Sequence, residues 1–173
     1  MGYDRRMFRV LIGSAALFLA VVSGTTVGAD QRASGAAIGS RPAQITASRP
    51  HTGPLPPLPR VTYQPARPMA VVQQVYAFAA HHPEVLEYTP CFCGCERSGH
   101  KGNHDCFVKK RAANGRVTEW DEHGIGCAIC LGVGHDAMTL FNGGAAPAQI
   151  RTAIDQKYAG HFPSSTPTPR PGR

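Results

Sequence analysis

Six cysteines and eight histidines fall unevenly along 173 residues. From Tyr88 to Phe107 the chain reads YTPCFCGCERSGHKGNHDCF. Cys91, Cys93 and Cys95 alternate there with single residues, and His100, His104 and Cys106 follow. A second group, His123, Cys127 and Cys130, lies in HGIGCAIC. Thiolates and imidazoles are the donors that select zinc, copper(I) or iron–sulfur centres over hard cations. The six cysteines with His100 and His123 give eight donors, enough for two four-coordinate sites, or for one site and a separate disulfide. His104 is a spare donor.

Spacing constrains how these donors could meet. His123, Cys127 and Cys130 stand at i, i+4 and i+7, which puts them on one face of a helix. Gly124 and Gly126 weaken such a helix, so a turn followed by a helix fits as well. Cys127 and Cys130 also form a C-x-x-C pair, a common zinc spacing. The first cluster is harder. In a straight strand, side chains two residues apart share a face at about 6.6 Å. Two sulfurs on one zinc lie about 3.8 Å apart, given Zn–S bonds of about 2.3 Å. A straight strand therefore fails. Gly94 lets the chain curl so that the thiolates turn inward, or successive cysteines serve adjacent metals. Zinc is the expected metal if both His100 and His123 bind; copper is expected if only sulfurs do.

Two other chemistries compete. An even cysteine count in an exported chain is the ordinary setting for disulfides, which would make a stapled surface module. Against it, three cysteines within five residues close loops too short to constrain the unfolded chain much. The C-x-x-C pair could instead exchange disulfides, but no βαβ pattern precedes it. Leu131 after Cys130 excludes a c-type haem site. The chain has no H-E-x-x-H, no phosphate-binding glycine loop and no G-x-S-x-G. Asp105, Asp121 and Glu122 lie near the cluster as carboxylates for an open metal site, yet a thiolate-rich shell is usually closed. A binding protein is expected rather than an enzyme, with the metal in a structural or carrier role.

The elements that must position these residues are few. Met69 to His81 reads as a helix, with Val71, Val75 and Ala79 at i, i+4 and i+8, Pro68 near its start and Pro83 as its stop. HDAMTLFNGG is a short helix closed by Gly143 or Gly144. PAQIRTAIDQKY is another, with Pro147 in its first turn and Ile150, Ile154 and Tyr158 on one stripe. Between Thr89 and Glu119 neither periodicity holds, so loops organised by something else are expected, with Phe92, Phe107 and Trp120 packing beside the cysteines. His81, His82, His135 and His161 read as ordinary surface or helix-end histidines.

The fold class is mainly α: a small helical domain over 69–162 with a loop-rich Cys/His centre. Residues 30–68 hold eight prolines and few large apolar side chains, and read as an extended linker. Residues 163–173 read as a disordered tail. The domain is small enough to need a metal or disulfides. The net charge of +7 does not imply nucleic acid. Between Met69 and Phe162 there are eight Lys/Arg and nine Asp/Glu, and a nucleic-acid face would carry its charge on the folded unit. The basic flanks fit a cell-envelope surface or a membrane-bound partner better.

Residues 1–29 have a basic start, an apolar stretch from Val10 to Val22 and small residues ending in Val27-Gly28-Ala29. That is the pattern of a signal peptide cleaved after Ala29, which puts the domain in the periplasm or at the cell surface. An uncleaved membrane anchor is the alternative. Arg5-Arg6 followed by Phe8 partly matches a twin-arginine export signal, which carries folded, metal-loaded proteins. Pro90-Cys91-Phe92-Cys93-Gly94-Cys95 resembles the motif that names the PCYCGC-motif proteins, exported bacterial proteins of uncharacterised function. The resemblance continues through His100, Cys106-Phe107, His123, Cys127 and Cys130, and spans about Val75 to Tyr158. Phe92 replaces the family's tyrosine, and the cleavage point lacks the cysteine of a lipoprotein. The resemblance implies export and a shared cysteine pattern, and no activity.

Overall fold

The structure is a computed structural model that describes residues 46–172, all within one unit, Ser40–Arg173. The signal-like segment, its arginine pair and residues 30–45 of the proline-rich stretch lie outside the described residues.

Five α-helices carry the core. Helix α1 (Met69–His81) buries Val72, Val75, Tyr76, Ala79 and Ala80. Val75 and Ala79 of the expected stripe are thus in the core with Val72 and Tyr76 beside them, and only Val71 is half-buried. Pro83 ends α1 as expected, but it also starts a single turn, α2 (Pro83–Leu86), because proline suits a first helical position. One more turn, α3 (His123–Gly126), precedes α4 (Ala128–Asn142), which packs against both α1 and α5. Helix α4 starts well before the HDAMTLFN stretch, and Gly143 caps its end. Helix α5 (Pro147–Tyr158) has Pro147 in its first turn, and Ile150 and Ile154 face the core.

The centre is not only loops. Two 3₁₀ turns, Cys95–Ser98 and Asn103–Cys106, lead into an antiparallel hairpin of β1 (Val108–Arg111) and β2 (Val117–Trp120). Asn114-Gly115 makes the turn, with Gly115 at φ +90°. Val108, Val117 and Trp120 point inward. Tyr76 of α1 sits edge-on to both Phe107 (5.1 Å) and Trp120 (5.5 Å), fixing the hairpin to the helices. Phe92 stacks on Tyr158 instead, with ring centroids 5.6 Å apart.

The proline-rich flanks correct the expectation of disorder over the residues described. Residues 46–68 are extended but form a strap across the core. His51 is buried. Its N–H donates to Ala80 O (2.9 Å), its Nδ1 accepts from Val117 N–H (2.9 Å) and its Nε2 donates to Pro54 O (3.2 Å). Trp120 Nε1 donates to Pro56 O (3.1 Å), and Ala66 N–H to Ile125 O (2.9 Å). Prolines have little backbone freedom to lose, so a strap of few apolar residues can still be held by such bonds. The tail is held too: Arg151 Nη1 donates to Thr168 O and Pro169 O. Among the described residues no helix is long and apolar enough to cross a membrane.

Candidate metal centre

Gly94 makes the first cluster feasible. It adopts φ +84°, the left-handed conformation open to glycine, and starts the turn Cys95–Ser98. A Cβ there would lie 2.6 Å from the Arg97 guanidinium. The curl brings Cys91 and Cys93 Sγ to 3.6 Å and sends Cys95 the other way, to 3.7 Å from Cys106 Sγ. Cys106 closes the second 3₁₀ turn, and His100 Nδ1 lies 3.5 Å from its sulfur.

The second cluster adopts the turn-and-helix arrangement. His123 opens α3. Cys127 is extended (φ −112°, ψ 107°), breaks the helix and becomes the N-cap of α4, its sulfur accepting from Cys130 N–H at 3.4 Å. Cys130, in the first turn of α4, points back to Cys93 Sγ (3.4 Å) and Cys91 Sγ (3.5 Å). His123 Nε2 is 3.4 Å from Cys93 Sγ. Gly124 permits this approach: a Cβ would meet the Phe107 ring at 2.5 Å and Cys106 O at 2.6 Å.

All eight residues singled out as donors therefore meet in one place. Ligand atoms of Cys93, His123, Cys127 and Cys130 lie within 4.8 Å of one another, as do those of Cys91, Cys95 and Cys106, with His100 beside the latter. All six cysteines are free. Their near contacts of 3.4–3.7 Å are far from the roughly 2.04 Å of a disulfide. They match the edge of a thiolate tetrahedron around zinc, about 3.8 Å. These groups could hold a metal ion. His104 does not join them. It is buried with Nε2 accepting from Arg111 Nε (3.3 Å). His81 donates to His51 O, and His82 faces Glu84. His135 and His161 are exposed.

Asp121 organises the histidines. Its Oδ1 accepts from His123 N–H (2.8 Å), and its Oδ2 lies 3.8 Å from His100 Nε2. Its own carbonyl accepts from Tyr76 Oη–H (2.6 Å). The bond to His123 is to its backbone N–H and so sets where α3 starts, and only the His100 ring faces the carboxylate, whose charge favours a basic imidazole there. Asp105 turns away to accept from Lys101 N–H. Two further supports had no signal in local spacing. Asn103, fully buried, donates Nδ2 to Cys130 O (3.2 Å) and so ties the 3₁₀ turn to α4. Thr166 clamps Cys91 on both sides, accepting from its N–H at Oγ1 (2.8 Å) and donating its own N–H to Cys91 O (2.9 Å).

The crowding shows in the acid–base chemistry. Thiol donors, Cys106 first and then Cys130, pull Cys91 down to about 4. Cys93 is held far below an ordinary thiol by Cys106, Cys127 and Cys130. Cys130 is pushed far up by the thiols around it, Cys106 first and then Cys127. His123 rises to about 10 beside the sulfurs of Cys127 and Cys93. Six thiols this close cannot all ionise without a positive charge among them. A cation held here would supply that charge and release the remaining protons.

One edge of the cluster is open. A cleft of about 760 Å³ is lined by His100, His123 and Cys127 together with Glu119, Asp121 and Tyr63. Cys91, Cys95, Cys106 and Cys130 are buried behind it.

The family described as "Protein of unknown function with PCYCGC motif" matches residues 58–171, well over half of the chain. No curated protein and no solved structure matches it.

Proposed function

The chain belongs to the family of proteins of unknown function with a PCYCGC motif, and on that premise, which carries no activity with it, we propose an exported metal-binding protein that holds two zinc ions. The observation that supports this is the convergence of six free thiols and two imidazoles at metal–thiolate spacing. An inner ion takes Cys91, Cys95, Cys106 and His100. An outer ion takes Cys93, Cys127, Cys130 and His123. Each set is Cys₃His, a structural zinc set. Participation of both histidines favours zinc over copper(I), which prefers sulfur alone. Export rests on the N-terminal sequence pattern. The basic segments flanking the domain suit a place at the cell envelope, near a membrane-bound partner.

The role is binding rather than catalysis, since eight donors satisfy two tetrahedra. The inner ion is structural: the chain around it has 3₁₀ turns in place of longer helices or strands, so metal affinity there is folding free energy. The outer ion, beside the cleft, is the one a carrier could exchange. The test is elemental analysis of protein from its native compartment, with X-ray absorption at the zinc edge. About two zinc ions per chain with mixed S/N shells is the expected result. Less than one metal per chain with oxidised thiols would overturn the proposal, and two copper ions in sulfur-only shells would replace zinc.

A second reading rests on Cys127, which lies at the N-terminus of a 15-residue helix with its sulfur accepting the Cys130 N–H. Such a C-x-x-C pair can exchange disulfides. Insulin reduction that survives chelation and vanishes in Cys127→Ser would favour it.

A further inference from the structure

We propose that the Cys91 thiolate bridges the two ions, and that Cys127 is in consequence a surplus ligand that an external thiolate can displace from the cleft. This rests on the two-ion reading above.

Cys91 belongs to both sets by distance. Its sulfur groups with Cys95 and Cys106 inside 4.8 Å, and it also forms a triangle with two outer sulfurs: 3.6 Å to Cys93, 3.5 Å to Cys130, and 3.4 Å between those two. Such a triangle is a face of a thiolate tetrahedron. Two buried thiolates that share no cation repel strongly, so the contacts from Cys91 to the outer sulfurs are best satisfied by an ion common to all three. Both backbone polar groups of Cys91 are fixed by Thr166, which holds this sulfur between the sets.

Counting then leaves one donor over. Eight donors with Cys91 used twice offer nine bonds, and two four-coordinate ions need about eight. The surplus falls to the outer ion, which has Cys91, Cys93, Cys130, His123 and Cys127 to choose from. Cys130 is buried, and His123 is anchored through its N–H to Asp121. Cys127 is half-buried, sits on extended backbone between two helices and lines the 760 Å³ cleft. Its sulfur already has the Cys130 N–H as a partner, so it can leave the ion without becoming an orphan. The exchange is redox-neutral. The bond from the outer ion to Cys127 Sγ breaks, a bond to an incoming thiolate forms, and the freed Cys127 thiolate takes a proton from water. The cleft therefore receives a soft sulfur ligand, the donor type through which a thiolate-bound ion passes to another protein.

Cobalt(II) titration of the full chain tests both parts. The high-spin signal in electron paramagnetic resonance should grow up to about one equivalent, then fall as the second ion couples to the first through the shared thiolate. A signal that grows linearly to two equivalents overturns the bridge. No binding of cobalt or zinc at all would defeat the two-ion reading instead. Cys127→Ser should keep two ions and their coupling, lose part of the thiolate-to-cobalt charge-transfer absorption, and regain it when a small external thiol is added. Loss of the second ion in that variant, or no recovery with thiol, overturns the displaceable role.

Discussion

The inner and outer donor sets have the same composition, but their cysteines have opposite surroundings, and only His100 of the inner set reaches the cleft. Cys91 and Cys106 are 0 % exposed and Cys95 is 2 % exposed. Three of the four outer donors, Cys93, His123 and Cys127, are only partly buried. The inner set hangs on two 3₁₀ turns and is clamped by the C-terminal segment; the outer set hangs on the ends of α3 and α4 and faces the cleft. Regular backbone hydrogen bonding is therefore sparse where the thiols are deepest and plentiful where they are shallow. On the two-ion reading, an ion in the inner set would substitute for missing secondary structure, whereas the helices flanking the outer set have packing of their own. Identical ligands can thus serve folding in one place and exchange in another, with burial deciding which.

Removing one sulfur from each side is the strongest way to break this contrast. Cys106→Ser should abolish cooperative folding and both metals, because a small metal domain draws its stability from the ion. Cys127→Ser should retain its helical circular dichroism and both ions. Both are read by circular dichroism together with metal content. A folded Cys106→Ser protein would erase the distinction. Stepwise acidification sharpens it: protons compete with metal for thiolates and imidazoles, so occupancy falls as pH falls, and the outer, solvent-facing ion should leave at the higher pH.

Asp121 holds the His123 backbone N–H and faces the His100 ring, so loss of its charge should weaken the inner ion more than the outer. Asp121→Asn keeps an acceptor for His123 N–H and removes the charge behind His100. A 10–100-fold weakening, about 1.4–2.7 kcal/mol, is expected for such a supporting carboxylate. Competition against a zinc-binding dye reads it. An effect on the outer ion alone would show that the 3.8 Å separation from His100 carries no support.

Thr166→Val acts through Cys91, the sulfur shared by the two sets. It removes the acceptor for the buried Cys91 N–H while leaving the backbone bond to Cys91 O. A buried donor left without a partner costs about 1–3 kcal/mol. The midpoint of thermal unfolding should drop by several degrees, with both ions held less tightly. An unchanged midpoint would mean that the C-terminal clamp does not hold the inner set.

What the sequence made legible follows from how local each feature is. Helix α5 was readable because Pro147, Ile150 and Ile154 lie within three turns. The curl at Gly94 and the turn before α4 followed from glycines beside the ligands. The hairpin had a signal, Asn114-Gly115 between Val108 and Val117, which the glycine-rich surroundings obscured. The proline-rich strap was misread because composition counts apolar side chains, whereas His51, Pro56 and Ala66 hold it by hydrogen bonds to residues far along the chain. Asn103 and Thr166 were invisible for the same reason: each supports a cysteine through a contact that only the fold creates. Donor residue types could be picked out from the sequence; their division into a buried and an open set could not, since that depends on which side α4 covers.

The smallest expected effect lies at the rim of the cleft. Glu119 is paired with Lys109 (2.7 Å) and Lys110 (2.7 Å), and these ammonium groups hold its carboxyl down to about 2. Its ordinary value is 4.5, so whatever stability the pair adds is present above about that pH and is lost as pH falls through the folded value. The pair is exposed and screened by salt, so Glu119→Gln should leave the fold and both ions in place. It does remove a negative charge from the wall that an approaching cation passes, and leaves Lys109 and Lys110 uncompensated there. Capture of Zn²⁺ by the outer set should slow a few-fold at low ionic strength, with the difference fading as salt is added. The inner set, which reaches the cleft only through His100, should load at a rate changed less. Stopped-flow uptake in low and high salt measures this. Equal slowing of both phases would mean that the two ions enter by one route, and the contrast in exposure would then describe where the ions rest and say nothing about how they arrive.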